Sequence, residues 1–419
     1  MSKIVIVSGF QIISNPRVAK EADALSKAGH TVEVLGAIWD KEGARKIEAL
    51  RVGALWHYTP MVDLAGGGWL ARWHWLVARL HVKLAQGVRR WLGWEHPAQL
   101  GYFTGRLLKI ARSRQADLYI VHLEPALWVG VKLLQAGFRV AVDVEDWYSE
   151  DLLPADRSRR PVAMMRHYEA TLLQQGAYAT TTSHALSQAL ANAYQVSPPV
   201  VVYNTFPWAE RASLKGHYRA RKRLDLCSLV WFSQTIGPGR GLEQLMQALH
   251  FLQTPVEIHV RGNPRPGFEQ QLRRLAPEAM QEHIYFHGLV PQAELLACLA
   301  EHDMGFCGEL SDSASRDLTL TNKAMEYLRA GLAVIASDTQ GQMELAKALP
   351  DTVFIYAQRD PQALADKVNL LVDQPQRLQQ AKQAALQAAQ QRFCWERDAE
   401  KIVTCVQCAL AERGVTSCS

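Results

Sequence analysis

The residues best placed for chemistry lie in three stretches. The first is Thr321 to Leu345, TNKAMEYLRAGLAVIASDTQGQMEL. Its pattern predicts a helix opening near Asn322, stopped at Gly331 and followed by a buried strand. A helix N-terminus offers free N–H groups and a positive dipole end to an anion. Thr321, Asn322 and Lys323 occupy that end. Glu326 lies just over one turn further in, where a carboxylate can accept hydrogen bonds from the vicinal hydroxyls of a ribose while the helix end faces phosphates. The plain alternative is a solvated Glu326 paired with Lys323 at i,i+3, and spacing alone favours it.

The second stretch is Ser233 to Met246, SQTIGPGRGLEQLM, following one strand and opening a helix. Gly237, Gly239 and Gly241 let the backbone approach a ligand closely. Arg240 among them supplies a fixed cation suited to a diphosphate. The loop is neither G-x-G-x-x-G nor G-x-x-x-x-G-K-[ST], so dinucleotide redox chemistry and P-loop hydrolysis lack support. The third stretch, VDVEDWYSED, ends a strand with the acids Asp143, Glu145, Asp146, Glu150 and Asp151. One of these carboxylates could accept a proton from a substrate hydroxyl. Clustered acids also suit a divalent metal, and an ordinary acidic loop accounts for them equally well.

The elements that must position these residues read as two α/β halves. KIVIVSG at Lys3 to Gly9 is an almost unbroken apolar run, as a buried parallel strand requires. Asn15 can cap a helix whose first residue is Pro16, and Gly29 closes it before the strand TVEVLG at 31–36. Further strands are expected at 117–122, 139–144 and 200–203, making a doubly wound first domain. A polar, basic interdomain linker is expected after Asn204-Thr205-Phe206-Pro207, up to Arg223. A second alternation then places strands at 228–233, 255–260, 283–287, 303–307, 332–337 and 352–356. The Ala/Gln-rich tail from Gln374 to Arg413 reads as helix that must pack back on structure already built. The expected domains are 1–205 and 206–394, with a C-terminal helix, about 395–419, returning to the first.

The chain of 419 residues carries a formal net charge of +5, too mild to indicate nucleic acid. Its distribution is uneven. Arg51 to Gln115 holds ten Lys or Arg against Asp63 and Glu95, a local +8 that leaves −3 for the remainder and points to a partner surface. Seven scattered cysteines suit a cytosolic chain with free thiols, and Cys405-x-x-Cys408 lacks a second pair for metal. The N-terminal apolar run is too short for a signal peptide, and no run of eighteen apolar residues is present. Residues 69–94, WLARWHWLVARLHVKLAQGVRRWLGW, interleave Trp69, Trp73, Trp75, Trp91 and Trp94 with Arg72, Arg79, Lys83, Arg89 and Arg90 and contain no acid. Tryptophan at the headgroup level and cations against anionic lipid are the ingredients of an interfacial helix. A helix whose tryptophans pack in the core competes with that reading.

In this order the motifs resemble the family 4 glycosyltransferases of the GT-B fold. The resemblance covers most of the chain: SNPRVAKEADALSKAGHTVEVL, TTSHALSQALANAY with VVVYNTFP, FHGLVPQAELLACLAEHDMGF and FCWERDAEKIV. It implies two facing Rossmann-like doubly wound domains with a C-terminal helix crossing back. It also implies transfer of a sugar from a nucleotide-sugar donor, with retention and without a metal or other cofactor. In the family the second Glu of E-x(7)-E binds the donor ribose, which maps onto Glu326; the basic residue of an R-G pair binds the diphosphate, which maps onto Arg240-Gly241. The region His287 to Val290, with Leu289 and Val290, would flank the nucleobase. Asn15, Arg17 and Asp143 fall on the acceptor side, with Glu145 and Asp146 as the catalytic pair. The sequence departs from the family pattern at several points. Leu318 replaces the first Glu, Thr319-Leu320-Thr321 replaces the glycine loop, Ser233-Gln234 replaces G-R, and Glu145 stands where the first-domain motif has His. An inactive subunit binding a partner enzyme or a glycan is the alternative that Leu318 and Glu145 favour. The expected partners are a nucleotide-sugar, a glycan or lipid-linked acceptor, and an anionic membrane surface met through residues 69–94 on the cytoplasmic side.

Overall fold

The computed structural model describes residues 1–153, 157–214 and 221–411. Two compact units account for it: Met1–Thr182 with Ser187–Val202 and the stretch from Ala399 onward, and Ser183–Leu186 with Tyr203–Asp398. Each is built on one wholly parallel sheet.

The first sheet has seven strands, β1 Lys3–Ser8, β2 Thr31–Ile38, β3 His57–Asp63, β4 Leu118–His122, β5 Val140–Val144, β6 Ala179–Thr181 and β7 Val200–Val201. Their order is β3-β2-β1-β4-β5-β6-β7. The central strands are buried on both faces, which explains their near-continuous apolar runs. Two strands were not expected from the sequence. His57–Asp63 carries Pro60 and polar residues, and Ala179–Thr181 is only three residues long.

The second sheet has six strands, β8 Ser228–Ile236, β9 Glu257–Pro264, β10 Ile284–His287, β11 Met304–Cys307, β12 Ala333–Ser337 and β13 Val353–Tyr356, ordered β10-β9-β8-β11-β12-β13. All six positions expected from the sequence carry a strand. Trp231, Phe306, Ile335 and Leu364 lie at the centre of its core. In both sheets the order reverses beside the first strand, between β1 and β4 and between β8 and β11. Ligands of open α/β sheets bind at the carboxyl ends of strands beside such a reversal.

The expected linker is more structured than its polarity suggests. Trp208–Ser213 forms a 3-10 turn, Arg211 donates to the Arg329 carbonyl at 2.6 Å, and the Arg329 guanidinium lies over the Phe206 ring. These contacts tie Phe206 to Arg211 into the second unit; residues 215–220 fall outside the described ones. The tail divides into two helices, Pro375–Gln391 and Trp395–Ala411, and the second passes from one unit to the other at Asp398/Ala399.

Candidate functional site

In the first unit the chemistry collects at the carboxyl ends of β1, β4 and β5. The helix Pro16–Lys27 opens just after β1, and Asn15 caps it by accepting from the Arg17 N–H at 3.1 Å. Within that first turn Arg17 reaches the carboxyl end of β5. Its Nε and Nη2 donate to Asp143 Oδ2 and Oδ1 at 2.5 and 2.9 Å, and its Nη1 donates to the Val202 carbonyl at 2.9 Å. Thr180 on β6 donates to the same Asp143 Oδ1 at 2.6 Å. Asp143 therefore has its carboxylate filled by neighbours. Arg17 is 1% exposed and Asp143 2%. The two were expected to line an acceptor surface; both are buried, and they brace the strand end against Val202 and Thr180.

Glu145 is the most accessible carboxylate of this group. Its Oε1 accepts from Asn15 Nδ2 at 2.5 Å and faces His122 Nδ1 at 3.2 Å. Its side chain is 13% exposed, against 5% for Glu21 and 2% for Asp143. Among the described residues Oε2 of Glu145 takes no hydrogen bond, so one oxygen is open. Asp146, the other expected catalytic acid, lies next along the chain and is half-buried.

Two members of this network were not foreseen, His122 and Glu21. His122 ends β4 with no exposure, and its Nε2 meets Glu21 Oε2 at 2.6 Å while Nδ1 lies 3.2 Å from Asp143 Oδ2. Burial alone would lower the imidazole pKa, but Glu21, Asp143 and Glu145 outweigh it and raise it well above the usual value. Burial would likewise raise the Asp143 pKa, and Arg17 and His122 reverse that, holding it far below the usual carboxylate range. The signal was present in the sequence: His122 is the last residue of an apolar strand adjacent to β5, and Glu21 falls on the inner face of the helix after Asn15. His122, Asp143 and Glu145 present ligand atoms within 4.8 Å of one another, a spacing a divalent ion could use. In that group Asp143 is already bound by the Arg17 guanidinium through both oxygens.

In the second unit the loop after β8 is pinned by glycine. Gly239 and Gly241 have φ of +76° and +73°, and a Cβ on Gly241 would sit 2.3 Å from the Gly308 carbonyl oxygen. Only glycine permits both that backbone region and that approach. The contact places Arg240 beside the residue after Gly308, Glu309, which sequence reasoning also missed. Burial favours the protonated form of Glu309, but Lys323 and Arg240 overcome it and lower the pKa. Lys323 forms an ion pair with Glu309, and Thr321 Oγ1 lies 3.3 Å from the same oxygen. Arg240, Thr321 and Lys323 thus gather around one carboxylate.

The helix Asn322–Ala330 starts where expected and ends at Gly331, whose φ of +81° closes it. No side chain caps its N-terminus, and Asn322 is exposed there. The i,i+3 pairing with Lys323 does not form. Glu326 is 1% exposed and its Oε2 accepts from Arg329 Nη2 and Nε at 2.7 and 3.1 Å. Its Oε1 faces Gln292 Nε2 at 3.3 Å. Gln292 begins the helix after Gly288-Leu289-Val290-Pro291, so the loop expected to flank a base stands next to the residue expected to hold a ribose. Arg261 anchors that loop by donating to the Gly288 carbonyl at 3.0 Å, and Leu289 is exposed. His287 at its start is stacked on His259, the rings 5.2 Å apart and nearly parallel.

Residues 228–374 match the family model of the group 1 glycosyl transferases. The matched segment contains the Arg240 loop, Glu309, Lys323 and Glu326. No curated protein sequence matches the chain. Among solved structures it is similar to HepE of Anabaena in complex with UDP, at 16% identity and TM-score 0.67, covering 97% of this chain and 99% of that one. It is also similar to a glycosyltransferase of Rickettsia africae, at 13% identity and TM-score 0.68 with 98% and 99% covered. The sucrose-phosphate synthase of Thermosynechococcus elongatus matches at 15% identity and TM-score 0.68, with 97% and 98% covered. The chain has the GT-B fold of these proteins, and the segment that matches the group 1 model makes up most of its second unit.

Proposed function

We propose that the protein transfers a sugar from a nucleotide-sugar donor to a glycan or lipid-linked acceptor, with retention, from the cytoplasmic face of a membrane. The observation that carries the donor half is the cluster of Arg240, Lys323 and an uncapped helix N-terminus beside a buried Glu326 with its Oε1 turned to the Leu289-Val290 loop. Two cations and a helix end stabilise charge as it develops on a departing diphosphate. Glu326 Oε1 would accept from the ribose hydroxyls. HepE, similar over the whole chain, has been solved with UDP and with UDP-glucose, which supports a uridine donor here.

In the acceptor half, Glu145 Oε2 would accept a hydrogen bond from the attacking hydroxyl while Asn15 and a cationic His122 hold the other oxygen in place. The anomeric C–O bond to the diphosphate breaks as the acceptor oxygen bonds to the same face of that carbon. The acceptor proton passes to the leaving phosphate oxygen. Glu145 and Asp146 then orient the hydroxyl rather than store its proton, and no metal is needed to balance the step.

The test is a thermal-shift screen of nucleoside diphosphates and their sugars, since a ligand at ~100 Kd should stabilise by ~2.7 kcal/mol. Hydrolysis of the stabilising sugar nucleotide is then measured. Stabilisation followed by slow release of the diphosphate supports the transferase. Stabilisation without turnover points to the inactive subunit, and no stabilisation by any member removes the donor assignment. Alanine at both Glu145 and Asp146 should abolish turnover while the thermal shift persists; full turnover in that variant would move the acceptor site elsewhere.

A further inference from the structure

The helix Trp69–Leu92 is fastened by one face and leaves the other in solvent. On the fastened face Ala78 and Ala85 are buried, and Trp75 packs on Trp39 and Tyr102 with ring centroids 5.6 and 4.7 Å away. Gln99 donates to the Ala85 carbonyl at 2.7 Å, and Arg89 reaches the Ser158 carbonyl at 2.9 Å. The open face is apolar. Trp69 is 74% exposed, Trp73 56%, Leu76 64%, Leu80 55%, Leu84 59% and Trp91 85%.

At 3.6 residues per turn those six side chains fall within an arc of about 80°. Arg72, Arg79, Lys83 and Arg90 are exposed and fall in a second arc, about 40° wide, along one flank of the first. The helix contains no acid. Monomeric proteins rarely leave such a contiguous apolar surface without use. No helix among the described residues is long and apolar enough to cross a membrane, so this one would lie along a surface.

We propose that this face docks on an anionic bilayer, with Trp69, Trp73, Trp91 and the leucines at the headgroup–acyl boundary and the basic ridge against lipid phosphates. Charge complementarity selects the occupant. A second copy of this helix would bring only further cations, with no acid to meet the ridge. A nucleic acid would meet the ridge but gain no stacking from Leu76, Leu80 and Leu84, which present no ring. An anionic bilayer satisfies both arcs at once. The inference rests on the lipid-linked acceptor reading for its purpose, yet its test needs neither donor nor acceptor.

The experiment is vesicle flotation of the full chain, using phosphatidylcholine alone or with about one third phosphatidylglycerol, at about 0.1 M and about 1 M salt. The wild type should float with the anionic vesicles at low salt and stay behind with the neutral ones or at high salt. Each Lys or Arg near such a surface is worth a factor of about five in partitioning. R79Q/K83Q should therefore bind about thirtyfold more weakly, and W73S/W91S should not float at all. Both variants change exposed side chains and should keep the nucleoside diphosphate thermal shift of the wild type, which separates failure of docking from failure of the donor site. Three results would overturn the proposal: wild type left at the bottom with anionic vesicles at low salt, W73S/W91S floating like the wild type, or a dimer in solution that W73S/W91S converts to monomer. Binding to an oligonucleotide in preference to anionic vesicles would overturn it too.

Discussion

Replacing Arg17 with Met should open the first unit while sparing the second. The guanidinium makes two hydrogen bonds to Asp143 and one to the Val202 carbonyl, and both charged side chains are essentially without solvent. Removing one partner of a buried ion pair leaves the other charge uncompensated, at roughly 3–5 kcal/mol. Asp143 keeps Thr180 and His122, so the lower end, about 3 kcal/mol, applies. Because the chain holds two units, a single unfolding midpoint would mix their responses. Amide exchange read peptide by peptide avoids that. In Arg17→Met, peptides covering Leu118–His122 and Val140–Val144 should exchange about a hundredfold faster, since ~1.4 kcal/mol is a tenfold change. Peptides covering Ser228–Ile236 should not change. Adding Asp143→Asn removes the stranded charge while keeping an acceptor for Thr180, and should recover roughly half of the lost protection. Less than a threefold change in Arg17→Met, or a double variant worse than the single one, would refute the reasoning that this pair braces the site.

Arg240→Ala should weaken binding of a nucleoside diphosphate about tenfold to a hundredfold, the worth of a charge-assisted hydrogen bond, and leave the nucleoside almost unaffected; equal losses in calorimetry would remove the contact. Glu326→Gln should weaken nucleoside diphosphate binding about tenfold and also lower stability, because the amide no longer pairs with Arg329; unchanged affinity would sink the ribose assignment. The first unit should also lose stability in alkali. The raised His122 pKa means its contribution is complete below the unfolded value, about 6.5, and disappears as pH climbs through the folded one. Asp143, with a lowered pKa, acts in the opposite sense, contributing above about 3.9 and losing it only as pH falls through its folded value. Denaturation followed from pH 5 to pH 10 should show the His122 loss in the wild type, and His122→Gln should flatten it.

The parts legible in the sequence were those with a local signature. Unbroken apolar runs marked the central strands, and Gly331 marked the end of the helix carrying Glu326, because a left-handed φ at that position is nearly exclusive to glycine. Non-local pairings were not legible. Glu326 was weighed against Lys323 at i,i+3, but Glu309, from the end of β11, took Lys323 and left Glu326 to Arg329. His122 and Glu21 lie 101 residues apart and meet only because β4 pairs directly with β1. The tryptophans of residues 69–94 carried both readings in the sequence because exposure has no signature there. The structure divides them, with Trp75 packed and Trp69, Trp73 and Trp91 open.

The departures from the family pattern become physically coherent once charge is balanced within each unit. In the first, three carboxylates, Glu21, Asp143 and Glu145, share two cations, Arg17 and a protonated His122. The excess is negative, and Glu145, the most exposed of the three, has an oxygen that takes no hydrogen bond among the described residues; it stands where the family it resembles has a histidine. A histidine is nonetheless present, delivered from β4 and turned inward, where it orients that carboxylate. In the second unit two cations, Arg240 and Lys323, and a helix N-terminus lie around the single carboxylate Glu309, while Arg329 pairs with both Glu326 and Glu210. Around Glu309 itself the excess is positive. A negative group at one strand end can accept from a hydroxyl and would repel a diphosphate; a positive group does the reverse. The sign of the charge around Glu145 and around Glu309, independent of any sequence similarity, is the one that the proposed acceptor and donor roles require.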